Sequence, residues 1–148
     1  MKLVIGSDHG GVDLKEEVKM VLKEFRDIEV TDVGTFGTDS VDYPDIAEKV
    51  CNAIISGKAD RGILLCGTGL GISIAANKFK GIRCAVCHDV FSAKMSRSHN
   101  DANVLAMGGR VIGFGSAGEV VRAWITTEFS GGRHARRINK ISELENRK

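Results

Sequence analysis

Long apolar runs are missing from this chain of 148 residues. No stretch approaches the roughly 20 residues that a membrane-spanning helix needs, so no membrane partner is expected. The opening MKLVIGSDHGG has only a few apolar residues before Gly, Ser, Asp and His stop them. That is too short for a secretory leader, and a cytoplasmic location is expected. Charge of one sign is scarce as well: 21 basic and 19 acidic side chains leave a formal net charge of +2. Nothing global points to nucleic acid, and the basic excess is local, in GGRHARRINK near the C-terminus. Repeats, linkers and low-complexity segments are also lacking. Residues 1–148 therefore read as one domain of ordinary size, able to bury a core without disulfide or metal staples.

Metal-knuckle spacing is incomplete. Cys84 and Cys87 form CAVC, but a second CxxC or an HxxxH is absent. GIRCAVC reads as a strand, on which alternation puts Cys84 and Cys87 on opposite faces as packing residues. Cys51 continues an apolar helical stripe and also reads as packing. In a reducing compartment none of the four cysteines is expected to pair.

What is present is an alternation of short apolar runs with helical stripes. KLVIG, IEVTDVG, RGILLCG, GIRCAVC and ANVLAMGG read as strands. Each is followed by a helical pattern, the first carrying Leu14, Val18, Val21, Leu22 and Phe25 on one face. Pro44 near the start of the second helix and Gly57 after it fit the usual punctuation. Ile138, Ile141 and Leu144 mark a C-terminal helix. The expected fold is α/β: a three-layer, doubly wound, Rossmann or flavodoxin-like five-stranded parallel sheet with helices on both faces. In such sheets ligands bind beyond the carboxyl ends of the strands. Those ends supply Asp8 and His9, Gly34 and Thr35, the CGTGLG stretch from Cys66, His88 and Asp89, and Gly108 to Arg110.

CGTGLG leads from a strand into a helix, where glycines let backbone N–H groups turn toward an anion. Its third glycine comes one residue early for a dinucleotide fingerprint, and no Lys-Ser or Lys-Thr follows as in a nucleotide P-loop. Gly67, Thr68, Gly69, Leu70 and Gly71 are thus a candidate anion cradle. Cys66 sits just before that helix, where converging amides and the helix dipole favour a thiolate, acting as nucleophile or base. Asp8 and His9, followed by two glycines, are candidate ligand contacts. His99 with Asn100 lies just before the fifth strand, while His88 and His134 read as bystanders. Arg133 and Arg137, at i and i+4, are either a phosphate grip or a solvated face paired with Glu143 or Glu145.

SDHGG, DYPD, CGTGLGISIAANK, SHNDANVLAMGGR and GGRHARR together resemble the type B ribose-5-phosphate isomerases, a family shared with the galactose-6-phosphate isomerase subunits. The resemblance runs from end to end. It implies an aldose-ketose isomerase without cofactor or metal, interconverting ribose 5-phosphate and ribulose 5-phosphate through a cis-enediolate. By the same resemblance Cys66 is the base, and His99 assists ring opening with Asp8 and Thr68 close by. His9, Arg133 and Arg137 hold the phosphate, Asn100 and Arg110 complete the pocket, and Tyr43 lines the sugar site. The family also implies a homodimer, or a tetramer, whose site is shared between subunits. A second branch uses a glutamate just after the last glycine of the loop; here that position is Ile72. The alternatives are a preference for six-carbon or unphosphorylated sugars, and a non-catalytic phosphosugar-binding module.

Overall fold

The computed structural model describes residues 1–147. Five strands form one fully parallel sheet: β1 (Lys2–Ser7), β2 (Glu29–Asp32), β3 (Arg61–Cys66), β4 (Cys84–Val86) and β5 (Val104–Gly108). The helices between and after them are α1 (Val12–Leu22), α2 (Tyr43–Ile55), α3 (Leu70–Ala76), α4 (Val90–Ser98), α5 (Phe114–Thr126) and α6 (Arg133–Glu145). The expected α/β architecture is present. No helix among the described residues is long and apolar enough to cross a membrane.

Period-two alternation explains the layering. On β3, Ile63 and Leu65 face α1, α4 and α5, joining Leu14, Val18, Ala93, Val121 and Trp124. Leu64 and Cys66 face the other way, against Ile46, Val50 and Cys51 of α2 and Ile72 and Ala76 of α3. Ile63, Leu64 and Leu65 are wholly buried, each contributing about 2 kcal/mol of apolar transfer free energy. Cys87 joins the first layer and Cys84 the second, as alternation predicts.

The strand order is β2-β1-β3-β5-β4. The flavodoxin-like arrangement would run 2-1-3-4-5, so the last two strands are exchanged. Residue periodicity carries no information about which neighbour a parallel strand takes. The exchange has a local effect: β5 pairs directly with β3, and Gly108 lies opposite Cys66.

One buried cation does not follow from the apolar stripe of α1. Lys15 is fully buried and donates to Asp32 Oδ1 at 2.9 Å and to the Thr35 carbonyl at 2.6 Å. Lys19 reaches the other Asp32 oxygen at 2.9 Å. Together they tie the segment after β2 to α1. Burial alone would push the Asp32 carboxyl up, but the Gly34 N–H, Lys19 and Lys15 outweigh it and hold the group below the usual carboxylate range.

Candidate active site

The first group of candidate residues gathers at the carboxyl ends of β1, β3 and β5. Cys66 ends β3 and is buried, and its Sγ accepts the Gly69 N–H at 3.0 Å. A bond of this kind strengthens when the sulfur is anionic. Gly69 has a φ of 78°, and a Cβ there would lie 2.9 Å from the Met107 carbonyl carbon. Both facts demand glycine, and the resulting turn brings its amide back onto Sγ. Thr68 Oγ1 accepts the Leu70 N–H at 3.3 Å at the mouth of α3.

β5 acts as the mould of this loop. Gly109 donates to the Cys66 carbonyl at 2.8 Å and Arg110 to the Gly67 carbonyl at 3.0 Å. A Cβ on Gly108 would lie 2.5 Å from the Thr68 carbonyl carbon. The Cys66 and Gly67 carbonyls are thus turned toward β5, while within the loop the Gly69 and Leu70 amides are taken by Cys66 Sγ and Thr68 Oγ1. The Arg110 guanidinium passes over Gly67, 3.3 Å from where a Cβ would be.

Asp8, Gly10 and Tyr43 close the same cluster. The buried Asp8 accepts the Gly10 N–H at 2.8 Å, and Gly10 is pressed against the Gly67 amide. His9 Nδ1 accepts the Val41 N–H at 3.3 Å, which leaves Nε2 to carry the proton of the neutral ring. The Tyr43 ring lies on Gly71, within 2.8 Å of the position a Cβ would take.

His88 is no bystander. Its Nε2 accepts the Gly108 N–H at 2.9 Å, substituting for a backbone carbonyl where β4 has ended. Burial holds its imidazole below the usual histidine range, with Asp89 opposing that shift.

The other three cysteines have a different environment. Burial pushes the Cys51 thiol up to about 12, and burial first of all raises Cys84 and Cys87. Cys51 Sγ points at the Ala76 carbonyl at 3.8 Å, a contact that holds the proton on sulfur. Cys66 Sγ instead faces an amide donor. Among the described residues no group of three or more His, Cys, Asp or Glu side chains is placed to hold a metal ion.

The second group lies elsewhere in the chain. His99 caps the C-terminus of α4, which returns from the carboxyl end of β4 to the amino end of β5. Arg83, just before β4, donates to the Asn100 carbonyl at 3.0 Å, fixing this loop at the amino edge of the sheet. Asn100 also lines a groove of about 600 Å³ with Asn77, Cys84, Ile141 and Leu144. Arg133 and Arg137 stand exposed on α6. Neither forms an ion pair among the described residues. Glu145 accepts the Gly81 N–H at 3.2 Å instead of pairing with them. His134, the other residue read as a bystander, stacks on His99 with ring centroids 4.1 Å apart and planes 6° from parallel.

One chain therefore does not bring all the expected residues together. Asp8, His9, Tyr43, Cys66 to Gly71 and Arg110 form one cluster; His99, Asn100, Arg133 and Arg137 belong to another. β5, five residues long, lies between the two along the strand direction, about 13 Å at about 3.3 Å per residue.

A family described as Ribose/Galactose Isomerase matches residues 3–141. The chain is 49% identical to ribose-5-phosphate isomerase B of Escherichia coli (strain K12), covering 99% of this chain and 98% of that protein. It is 44% identical to the D-erythrulose-4-phosphate isomerase of Pectobacterium atrosepticum, over 98% of this chain and 95% of that one. Among solved structures, ribose-5-phosphate isomerase B of Clostridium thermocellum superposes with a TM-score of 0.96 at 58% identity. It covers 99% of this chain and 98% of that one.

Proposed function

The chain belongs to the ribose/galactose isomerase family, and from that premise we propose that it interconverts D-ribose 5-phosphate and D-ribulose 5-phosphate through a cis-enediolate. Residues 1–148 act as one isomerase unit. Cys66 is the base: its thiolate takes the proton from C2 of the open aldose and returns it to C1, while the proton of the C2 hydroxyl passes to the C1 oxygen. As the C–H electron pair moves into the forming C1–C2 double bond, negative charge develops on the carbonyl oxygen. Of the Gly67 to Gly71 loop, the amides not already given to Cys66 Sγ and Thr68 Oγ1, those of Gly67, Thr68 and Gly71, receive that charge, a preorganised stabilisation that is typically worth about 10²- to 10³-fold per donor. Proton transfer and hydrogen-bonded charge account for every step, so the reaction calls for no cofactor and no metal.

The observation that carries the assignment is the Gly69 N–H aimed at a buried Cys66 Sγ at 3.0 Å. It separates this cysteine chemically from the other three, and the family resemblance selects base over nucleophile. His99 assists opening of the furanose, with Asp8 and Thr68 close to the reacting carbons. His9, Arg133 and Arg137 grip the phosphate, Asn100 and Arg110 complete the pocket, and Tyr43 flanks the sugar.

Because Cys66 ends β3 beside the carboxyl end of β5 and His99 lies toward the amino end of β5, one site takes Cys66 from one copy and His99, Asn100, Arg133 and Arg137 from a second. A homodimer meets this need with two equivalent sites, and a tetramer would be a pair of such dimers. Leu70 and Ile74, i and i+4 on α3 beside the Cys66 loop, are 57% and 62% exposed. They offer an apolar surface on which the second copy can seat. In the cytoplasm the enzyme would serve pentose phosphate metabolism.

The test is Cys66→Ala assayed over a panel of four-, five- and six-carbon aldose phosphates, with chelator present. The wild-type protein is expected to favour ribose 5-phosphate and to keep its activity in chelator. The variant should lose isomerisation about 10²-fold or more while still binding substrate. Near-wild-type turnover by a folded Cys66→Ala protein would overturn the assignment of the base. A binding module would exchange no substrate proton with solvent. Preference for another chain length would move the substrate within the family.

A further inference from the structure

We propose, resting on the assignment of His99 to ring opening, that His134 is the positioning residue for His99, its imidazole lying flat on the His99 ring and fixing the plane in which that ring exchanges a proton with the sugar. A histidine that moves protons is ordinarily oriented by a hydrogen bond at its second nitrogen. His99 has none among the described residues; only its backbone is held, through its N–H to the Met95 carbonyl at 2.9 Å. The ring is held instead by a face contact, with centroids 4.1 Å apart and planes within 6°. A face contact of this kind occupies neither ring nitrogen of His99.

The chain is built to make the contact. Ser130 donates to the Ser98 carbonyl at 3.0 Å, docking the segment before α6 on the end of α4. Gly131 and Gly132, with φ of 62° and 54°, then reverse the chain, and His134 falls in the first turn of α6, over His99. The charged and titratable groups facing His134 are His99 on α4 and Arg133 and Arg137 on α6. Burial first, then these three groups, hold His134 below the usual histidine range.

The experiment compares two reactions of the full-length protein. Conversion of ribose 5-phosphate requires ring opening. Exchange of the C1 proton of ribulose 5-phosphate with D2O, followed by NMR, requires only the base, because that ketose is already open. His134→Ala is expected to slow conversion about tenfold or more, within the range of general acid–base contributions, while exchange stays within about twofold. His134→Phe, which keeps a flat ring, is expected to recover most of the conversion. Unchanged conversion in His134→Ala, equal loss of conversion and exchange, or a Phe variant as slow as the Ala variant would each overturn the inference. His99→Asn separates the two levels. If it converts ribose 5-phosphate normally, the role of His99 fails and the inference with it. If it is slow while His134→Ala is not, only the inference fails.

Discussion

Two inactive proteins should make an active one. The Cys66→Ala variant lacks the base and the His99→Asn variant lacks the ring-opening group, and each is expected to fall at least about 10²-fold below wild type. In a single chain these residues are separated along β5, Val104–Gly108, by about 13 Å, so the proposed site combines Cys66 of one copy with His99 of another. A hybrid dimer then has one doubly damaged site and one site with both residues intact. Random reassortment of equal amounts makes half the dimers hybrid, each with one of two sites working, so about a quarter of wild-type turnover is expected. That is roughly 25-fold above either parent if each retains about 1%. The assay is ribose 5-phosphate isomerisation after the two purified proteins are mixed, unfolded in urea and refolded together, with each variant refolded alone as the control. A mixture no more active than its parents, with hybrid dimers demonstrated by distinguishable tags, would place Cys66 and His99 in the same chain's site and refute the geometry.

Replacing His88 by Phe removes the acceptor for the Gly108 N–H, leaving a donor unsatisfied beside the Cys66 loop. A loss of about 1–3 kcal/mol in urea unfolding and a fall in kcat are expected, with partial recovery in His88→Gln. The folded imidazole of His88 is held below its ordinary range, so the unfolded chain binds the proton more readily. Stability should therefore fall as pH drops below about 6.5, and the Gln variant should flatten part of that slope. Lys15→Met leaves the Thr35 carbonyl unpaired and Asp32 with Lys19 and the Gly34 N–H alone, and is expected to cost about 3 kcal/mol in the same assay. The Asp32 carboxyl is held low in the folded protein, so its contribution is full above about pH 4 and is lost as pH falls through the folded value. Asp32→Asn should remove that part of the acid transition.

The layers and the first cluster were legible because they depend on short-range rules. Period two along β3 sends Cys66 to the α2 and α3 face, and a strand running into a glycine-rich helix start places it at the carboxyl edge. Cys84 and Cys87 fell on opposite faces for the same reason. Lys15 was hidden because a stripe of apolar residues does not reveal that a carboxylate and a carbonyl from the β2 end await a cation on that face. Those partners lie 17 and 20 residues away in the chain.

The surroundings of His88 and His134 were unreadable for a related reason: each contacts a neighbour that only the exchanged strand order or a docked tail supplies. Had β4 paired with β3, Gly108 would lie at the sheet edge and no longer opposite Cys66. In the order found, β5 separates β4 from β3, so β4 can reach the Cys66 loop only through β5, and the His88 ring on the Gly108 amide is that link. The same topology sends α4 back to the amino edge and carries His99 away from the cysteine whose substrate it is proposed to open. A strand-end rule applied within one chain therefore finds Cys66 and its glycine loop but not His99, which the proposed site draws from a second copy of the chain.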